Sequence, residues 1–182
     1  MRVFIALCLP QRTRENLTRS ATEMKHFATR GNWVDEHNYH VTLHFLGEVA
    51  ENDLMYVVDA MDKIKELPAM TLALDKFSVW RGSDLICCKL RKNAQLTQLQ
   101  QKLGENLEQN GFDVEHRPYR PHVTVCRKAA FELPFSEVVK SVSVYNAPFA
   151  ATEVVLYQSV FHPDGVEYKE LARVSLQKTE DN

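Results

Sequence analysis

A tetrapeptide that occurs twice constrains this chain more than any other feature. Residues 40–43 have the sequence HVTL, and residues 122–125 have the sequence HVTV. In a β-strand, residues two apart point to the same face, so each copy would place an imidazole beside a hydroxyl group. The intervening valine and leucine are good strand formers. We therefore predict two strands that each present one histidine and one threonine on a common face.

The spacing of the two copies predicts an internal duplication. The two histidines are 82 residues apart. Strand-like or helix-like segments match at the same offset in three further pairs: residues 3–6 with 85–88, Leu17 and Ala21 with Leu99 and Leu103, and 71–74 with 153–156. Because the elements agree in type and order, residues 1–82 and 83–182 are predicted to be repeat halves of one bilobal domain spanning residues 1–182.

The segments between the strands predict helices. Apolar residues at helical spacing place them at residues 11–28, 52–67, 94–110 and 134–143, and the pattern is weakest in the last. Asn52 is expected to cap the second helix, and Asn110-Gly111 to end the third. Strands mixed with helices in this order predict an α+β fold of two similar lobes.

The composition is that of an ordinary globular protein, with 45% hydrophobic residues, 25% charged residues and a formal net charge of −2. This charge gives no overall attraction to nucleic acid or anionic membranes, so any anion site must be a local patch. The apolar run at residues 3–9 has no signal-peptide cleavage site after it, and no run is long enough to span a membrane. The four cysteines lack metal or disulfide spacing and predict small buried residues in a reducing compartment: Cys8, Cys87, Cys88 and Cys126. We expect a cytoplasmic protein.

Two histidines on facing strands suit the cleavage of a phosphodiester. One neutral imidazole can take a proton from an attacking water, and the other, protonated, can give a proton to the departing oxygen. The ordinary pKa of histidine allows both forms near neutral pH. The hydroxyl groups of Thr42 and Thr124 would donate to the non-bridging phosphate oxygens. The pattern therefore indicates acid–base chemistry that requires no metal ion.

The first motif also allows a metal site. His37, His40 and His44 would gather on one face if this segment were helical. The β-branched and aromatic residues around them favour a strand, and Pro121 disfavours a helix at the second motif. A single histidine in an apolar strand is usually a structural residue. Two equivalent histidine–threonine pairs, however, are not required by packing alone.

A basic stretch around the second motif predicts a phosphate-binding patch. It consists of His116, Arg117, Arg120, Arg127 and Lys128. An arginine can bind a phosphate through two parallel N–H donors. Three aromatic side chains could stack on a nucleobase, although each is also compatible with the core or its rim: Trp33, Trp80 and Tyr119.

The motifs in their longer context resemble a known family. Residues 40–48 (HVTLHFLGE) and 120–127 (RPHVTVCR) resemble the two-histidine phosphoesterases. Nearly the whole chain resembles the bacterial RNA 2′,3′-cyclic phosphodiesterases, also called 2′-5′ RNA ligases (the LigT/ThpR group). The resemblance implies two similar lobes, each an antiparallel sheet with helices outside, and a central cleft. It also implies hydrolysis of RNA 2′,3′-cyclic phosphate ends to 2′-phosphates without metal or cofactor, and reversible 2′-5′ RNA ligation.

The resemblance assigns roles to individual residues. His40 would be the proton donor to the leaving 3′ oxygen, and His122 the proton acceptor from water. Three side chains would hold the phosphate: Thr42, Thr124 and Arg127. Three more are expected to line the cleft: His44, Tyr119 and Arg120. His44 is a departure from the family, whose members often have a small residue there, and its expected position follows from strand alternation, which would place it on the face of His40.

Two alternatives remain open at this point. The same site could act as a cyclic phosphodiesterase on a nucleotide or ADP-ribose derivative, or the chain could be a non-catalytic module that binds RNA ends. The expected partners are RNA ends or small nucleotides that carry a cyclic phosphate. We expect a monomer with no obligate protein partner and no membrane attachment.

Overall fold

The computed structural model describes residues 1–80 and 82–178 of the chain. Within them the chain forms ten strands and four α-helices. The strands are β1 (Arg2–Cys8), β2 (Ala28–Trp33), β3 (His40–Glu48), β4 (Met70–Leu72), β5 (Leu74–Trp80), β6 (Leu85–Leu90), β7 (His122–Phe131), β8 (Phe149–Ala151), β9 (Glu153–His162) and β10 (Gly165–Ser175). The helices are α1 (Gln11–Lys25), α2 (Leu54–Asp62), α3 (Ala94–Gln109) and α4 (Phe135–Val138). None of these helices has the length and apolarity that crossing a membrane requires.

The strands form two four-stranded antiparallel sheets. The first sheet has the order β10-β9-β1-β3, and the second has the order β2-β7-β6-β5. A small third sheet pairs β4 with β8. Helices α2 and α3 pack against the first sheet through β10 and β3, and α1 packs against β2 of the second sheet. The predicted α+β fold of two similar lobes is confirmed.

Each sheet contains strands from both halves of the sequence. In the first sheet β1 of the first half pairs with β9 of the second half, and β3 and β10 extend the sheet on either side. In the second sheet β6 and β7 pair with β2 and β5 of the first half. Neither half forms a complete sheet by itself, because both inner strands of each four-stranded sheet pair with a strand from the other half or lie next to one. The two repeat halves of the sequence are not the two lobes of the fold.

The register of the strands refines the 82-residue offset. Ala6 of β1 lies opposite Thr42, and Cys87 of β6 lies opposite Thr124. The motif strands are thus related by 82 residues, whereas β1 and β6 are related by 81. The ungapped match of residues 3–6 with 85–88 was therefore wrong by one residue. A slip of one residue matters in a strand because it moves every side chain to the other face.

The helices agree with the sequence pattern best where a cap is present. The side chain of Asn93 accepts a hydrogen bond from the backbone N–H of Leu96 at the start of α3, and Gly111 has a φ of +89° just beyond its end. The weak pattern at residues 134–143 corresponds to the four-residue α4 and a 3₁₀ turn at Val139–Ser141. The prediction for the third helix is confirmed, and the fourth is largely irregular.

Two helix boundaries were predicted wrongly. Helix α1 ends at Lys25 because Ala28 already begins β2, where it lies opposite Phe131. Asn52 is inside a 3₁₀ turn at Glu51–Asp53 and does not cap α2. Helix α2 ends at Asp62 rather than near residue 67, and the chain then pairs with Gln177, whose N–H and C=O bond to residues 67 and 69. These long-range bonds are not visible in local sequence.

The two motif strands meet between the sheets. Strand β3 is the edge strand of the first sheet, and β7 lies inside the second sheet and contacts β3. The hydroxyl group of Tyr119, just before β7, donates a hydrogen bond to the backbone carbonyl of Thr42 at 2.9 Å. The two motifs are therefore fastened to each other by a contact between the lobes.

Candidate active site

A β-bulge at the same place in both motif strands decides which side chains face the cleft. In β3, Thr42 lies opposite Ala6 and His44 lies opposite Ile5, so Leu43 is the extra residue. In β7, Thr124 lies opposite Cys87 and Cys126 lies opposite Ile86, which makes Val125 the extra residue. Beyond each bulge the alternation is reset. The position after the bulge therefore faces the core, and the next position faces the cleft.

His40 is fixed by hydrogen bonds at both ring nitrogens. Its Nδ1 lies 2.7 Å from the backbone carbonyl oxygen of Asn38, and its Nε2 lies 3.0 Å from Oγ1 of Thr42. A carbonyl oxygen only accepts hydrogen bonds, so Nδ1 carries a proton. In the neutral ring Nε2 is then the acceptor, and the hydroxyl group of Thr42 donates to it. The predicted side-by-side arrangement of His40 and Thr42 is present.

His122 repeats the first of these contacts at the corresponding position. Its Nδ1 lies 2.7 Å from the backbone carbonyl oxygen of Arg120, two residues earlier in the chain. Asn38 has the same position relative to His40. This contact again places the proton on Nδ1 and leaves Nε2 as the atom that can exchange a proton with a substrate. The indole ring of Trp80 lies beside the imidazole, with 4.4 Å between the ring centroids. Both motif histidines thus present the same nitrogen for chemistry.

Burial lowers the pKa of both imidazoles. The pKa of His40 is lowered to about 4, chiefly because burial disfavours the charged ring, and the charges of Arg127 and His122 act in the same direction. The pKa of His122 is also lowered, again by burial first and then by Arg127. Because Arg127 influences both histidines, its guanidinium group lies within electrostatic reach of both motifs.

Aromatic rings enclose His40 on its own sheet. The ring centroids of Phe4 and Tyr168 lie 4.8 Å and 5.3 Å from the imidazole, and Tyr168 meets it edge-on. Tyr157 stacks on Phe4 at 5.4 Å behind them. These contacts exclude water from one side of His40, which explains why its pKa is lowered so far. The sequence pattern gave no sign of this wall, because its residues are far apart in the chain.

The structure separates the basic stretch into two groups. His116 pairs with Glu108 at 2.9 Å, and Arg117 pairs with Glu115. These two basic residues are balanced by carboxylates, and the prediction that they belong to a phosphate patch is not supported. Arg127 follows the bulge of β7, points to the cleft side and is exposed.

Tyr119 and Arg120 line a groove that opens beside His122, in agreement with their expected position at the cleft. Lys128 is exposed and has a φ of +54°. Trp33 lies on β2 opposite Cys126, with Nζ of Lys25 5.5 Å from its ring centroid. This position is on the side of the second sheet away from the motif side chains, because Cys126 follows the bulge and faces the core.

His44 does not line the cleft, and the expectation from strand alternation was wrong. The bulge at Leu43 turns His44 to the opposite face of β3, where it is only 5% exposed. Its Nε2 donates to the backbone carbonyl of Gln100 in α3 at 2.7 Å. An added Cβ at Gly104 would lie 3.0 Å from the ring, so this glycine makes room for the histidine. His44 therefore joins α3 to the first sheet.

Replacing His44 tests this assignment. His44→Ala removes a buried hydrogen bond and leaves a cavity, and we expect the free energy of unfolding to fall by about 2–4 kcal/mol. The kcat of the folded protein should stay close to that of the unchanged protein, because the ring lies on the far face. Urea denaturation and steady-state kinetics measure the two quantities. A loss of kcat without a loss of stability would contradict this assignment and support a position of His44 in the cleft.

The three-histidine metal site is also excluded by these positions. His37 lies in an exposed 3₁₀ turn, whereas His40 and His44 lie on opposite faces of β3. In the described part of the chain, no three His, Cys, Asp or Glu side chains are placed so that they could hold a metal ion. Cys87, Cys88 and Cys126 are buried and unpaired, as predicted, and Cys8 is partly exposed.

The family model of the LigT-like phosphoesterases matches the chain twice, at residues 7–84 and 90–168. The chain belongs to this family. The two matches also agree with the internal duplication. Every LigT-like repeat in the chain therefore contains one histidine–threonine motif.

Individual LigT-like relatives resemble nearly the whole chain. It is 30% identical over 177 residues to an RNA 2′,3′-cyclic phosphodiesterase of Escherichia coli K12, covering 96% of both proteins. It is 29% identical over 161 residues to an RNA 2′,3′-cyclic phosphodiesterase of Geobacillus stearothermophilus, but this match covers 86% of the chain and only 51% of the relative. The chain thus spans about half the length of the Geobacillus relative.

Solved LigT-like structures share the fold. E. coli LigT complexed with 3′-AMP superimposes with a TM-score of 0.82 at 30% identity, covering 96% of this chain and 97% of that one. The phosphate complex of E. coli LigT gives a TM-score of 0.73 at 28% identity, with 96% of each chain covered. A Thermus thermophilus protein gives a TM-score of 0.81 at 22% identity, covering 97% and 98%, which extends the likeness of fold to a more distant sequence.

Proposed function

We propose that the protein hydrolyses RNA 2′,3′-cyclic phosphate ends to 2′-phosphomonoesters by acid–base catalysis with His40 and His122, without a metal ion. The observation that carries the proposal is the repeated contact of Nδ1 with the carbonyl two residues earlier. It fixes the tautomer of both rings, so that Nε2 is the nitrogen that can exchange a proton. Nε2 of His40 accepts from the hydroxyl group of Thr42 in the free protein, and this hydroxyl group turns to the phosphate when substrate binds. One such nitrogen can accept a proton while the other donates one, as the reaction requires.

In the proposed reaction His122 is the base and His40 is the acid. The oxygen of a water molecule forms a bond to phosphorus and gives its proton to Nε2 of His122. The bond from phosphorus to the 3′ oxygen breaks, and that oxygen takes a proton from Nε2 of His40. His40 must therefore be charged when substrate is bound, and the anionic phosphate favours this by raising the pKa that burial lowers. Attack by a 5′-hydroxyl group in place of water, with the same bond to the 3′ oxygen breaking, would join two RNA strands by a 2′-5′ bond, and the reverse of that step would cleave the bond.

The remaining side chains of the motifs would bind the phosphate. Thr42 and Thr124 lie two residues after the histidines and donate hydroxyl protons to the non-bridging oxygens, where negative charge increases in the transition state. Arg127 supplies the positive charge that both histidines sense. The names of the E. coli and Geobacillus relatives, and the 3′-AMP and phosphate complexes of E. coli LigT, support a nucleotide phosphate as ligand.

The decisive experiment uses an RNA oligonucleotide that ends in a 2′,3′-cyclic phosphate. We expect a 2′-phosphomonoester as the product, identified by ³¹P NMR or by its resistance to enzymes specific for 3′-phosphates, and unchanged activity in the presence of a chelator. Conversion of only small cyclic nucleotides or ADP-ribose derivatives would favour the alternative substrate class. Tight binding without any product would favour a module that binds RNA ends.

The lowered pKa values predict an acidic optimum for kcat/KM, which reports the free enzyme. Activity requires one histidine charged and one neutral, and this form is most abundant midway between their two pKa values. Both values lie below the ordinary 6.5, that of His40 at about 4. We therefore expect kcat/KM on a cyclic mononucleotide to peak below pH 6.5 and to fall as the pH rises, because the charged histidine is lost. An optimum above pH 7 would contradict this.

We propose that the protein works in the cytoplasm as a monomer. Its four cysteines are all unpaired, as expected in a reducing compartment. Both motifs come from one chain, so the proposed site is complete without a second copy. Sedimentation at the concentration used for the kinetics tests the oligomeric state.

A further inference from the structure

A groove opens beside His122 on the second sheet. Its volume is about 940 Å³, and it runs from His122 past β5 and β6 to the start of α3 at Asn93. This volume greatly exceeds the roughly 30 Å³ that one water molecule occupies in the liquid. The chemistry proposed at His122 needs space for a water molecule and a phosphate. The groove therefore offers room for a further part of the substrate.

The charged side chains that line the groove are all basic. They are Lys89, Lys92 and Arg120, and no carboxylate is among the described residues along its wall. None of the three forms an ion pair within the described part of the chain. In a chain with a net charge of −2, this is a local concentration of unbalanced positive charge. Such a patch attracts a polyanion.

Lys89 is directly connected to the catalytic geometry. It lies opposite His122 in the pairing of β6 with β7. Side chains opposite each other in an antiparallel pair share a face and are about 5 Å apart at Cβ. Lys89 is also partly buried, which limits the positions that its ammonium group can take. Its side chain therefore starts on the same face as the imidazole and lines the groove beside it.

An aromatic side chain forms the wall between the histidine and the groove. Trp80 packs against His122 and lines the groove with its indole ring, which is only partly buried. Aromatic rings stack on nucleobases of any sequence, and basic side chains beside them follow the backbone of a single strand. On the opposite side of the cleft, Phe4 and Tyr168 pack directly on His40.

We propose that this basic groove binds the RNA strand on the 5′ side of the cyclic phosphate, with Trp80 against a base or ribose and Lys89 and Lys92 on the next phosphodiester. This inference rests on the proposed function. In an in-line displacement at phosphorus, only the attacking water and the leaving 3′ oxygen must lie on one line. The ribose stays bonded to phosphorus through its 2′ oxygen, so the chain beyond it can turn into the groove. A cyclic mononucleotide has no such phosphodiester, and the groove therefore selects RNA ends over free cyclic nucleotides.

The kinetic test compares two substrates in two double variants. One variant, Lys89→Ala with Lys92→Ala, removes the groove lysines. The control variant, Lys63→Ala with Lys140→Ala, removes two lysines that follow α2 and α4 and do not line the groove. The substrates are a trinucleotide with a 2′,3′-cyclic phosphate end and a 2′,3′-cyclic mononucleotide. We expect the ratio of kcat/KM, trinucleotide over mononucleotide, to fall about tenfold in the groove variant and to stay constant in the control.

Salt dependence provides a second measure of the same contacts. For a single strand, each phosphate contact contributes about 0.7 to the slope of log affinity against log salt concentration. We expect the slope for the trinucleotide to decrease by about 0.7 in the groove variant, since both lysines are assigned to one phosphate. An unchanged substrate ratio or an unchanged slope would overturn the groove assignment while leaving the proposed function intact. Lack of turnover of both substrates by the unchanged protein would instead refute the function.

Tryptophan fluorescence gives a readout that does not depend on turnover. The chain has two tryptophans, so Trp33→Phe leaves Trp80 as the single reporter. We expect a trinucleotide ending in a 2′-phosphate to quench Trp80 and inorganic phosphate to leave it unchanged. Equal quenching by inorganic phosphate would refute contact with the nucleoside. Tighter binding of a trinucleotide with a 5′-hydroxyl group and no terminal phosphate would assign the groove to a second, incoming strand and overturn the proposal.

Discussion

His40→Ala and His122→Ala are each expected to lower kcat on a cyclic-phosphate RNA end by about 10²–10⁴-fold, the usual contribution of a positioned acid or base. Each variant removes the group proposed to exchange a proton on its side of the phosphate. The KM should change far less than kcat, because proton transfer acts in the transition state. Steady-state kinetics on purified protein measure both constants. The double variant should be scarcely worse than either single variant, because the two groups act as a unit.

Two exposed histidines provide matched controls. His37 lies in a 3₁₀ turn, and His162 pairs with Glu167 at the end of β9. Replacing either by alanine should leave kcat unchanged, since neither lies at the cleft. Circular dichroism and the urea midpoint establish that the active-site variants are folded. Full activity in His40→Ala or His122→Ala would refute the proposed chemistry.

Thr42→Val and Thr124→Val are expected to lower kcat by about 10²-fold, as removal of one donor to a developing negative charge does. Valine has nearly the shape of threonine but lacks the hydroxyl group, so packing on the sheet is kept. For Thr42 the effect has two sources, since its Oγ1 also bonds to Nε2 of His40 at 3.0 Å. The kinetic constants are measured with the same RNA end as for the histidine variants.

Serine variants separate the hydroxyl group from the shape of the side chain. Thr42→Ser and Thr124→Ser keep the donor, and most of the activity lost in the valine variants should be restored. If valine and serine at the same position were equally impaired, the methyl group rather than the hydroxyl group would be responsible. The threonine would then be a packing residue.

The sequence predicted the parts of the site that depend on strand alternation within three residues. His40 and Thr42 share a face, as do His122 and Thr124, because no bulge intervenes between them. The prediction for His44 was wrong because the bulge at Leu43 lies between this residue and Thr42. The position of Arg127 at the cleft depends on the equivalent bulge at Val125. Nothing in the residues around the bulges distinguishes them from a regular strand.

Charge was the second feature that local sequence misjudged. His116 and Arg117 belong to an apparently uninterrupted basic stretch, yet they contact the carboxylates of Glu108 and Glu115. No sequence pattern indicated a role for Lys89, but the pairing of β6 with β7 places it opposite His122. Whether a basic residue contributes to a field depends on which carboxylates reach it. Contacts of this kind form only when the chain is folded.

The sequence by itself determined that this chain carries two equivalent histidine–threonine strands in an α+β duplication, because the periodicity of each segment and the spacing between segments can be read from the sequence without the fold. The tertiary structure alone decided how these halves combine. Each sheet takes strands from both halves, both imidazoles are held by a backbone carbonyl, and a basic groove opens on the side of His122. Register and burial depend on residues far apart in the chain, and their energies are fixed only when those residues meet.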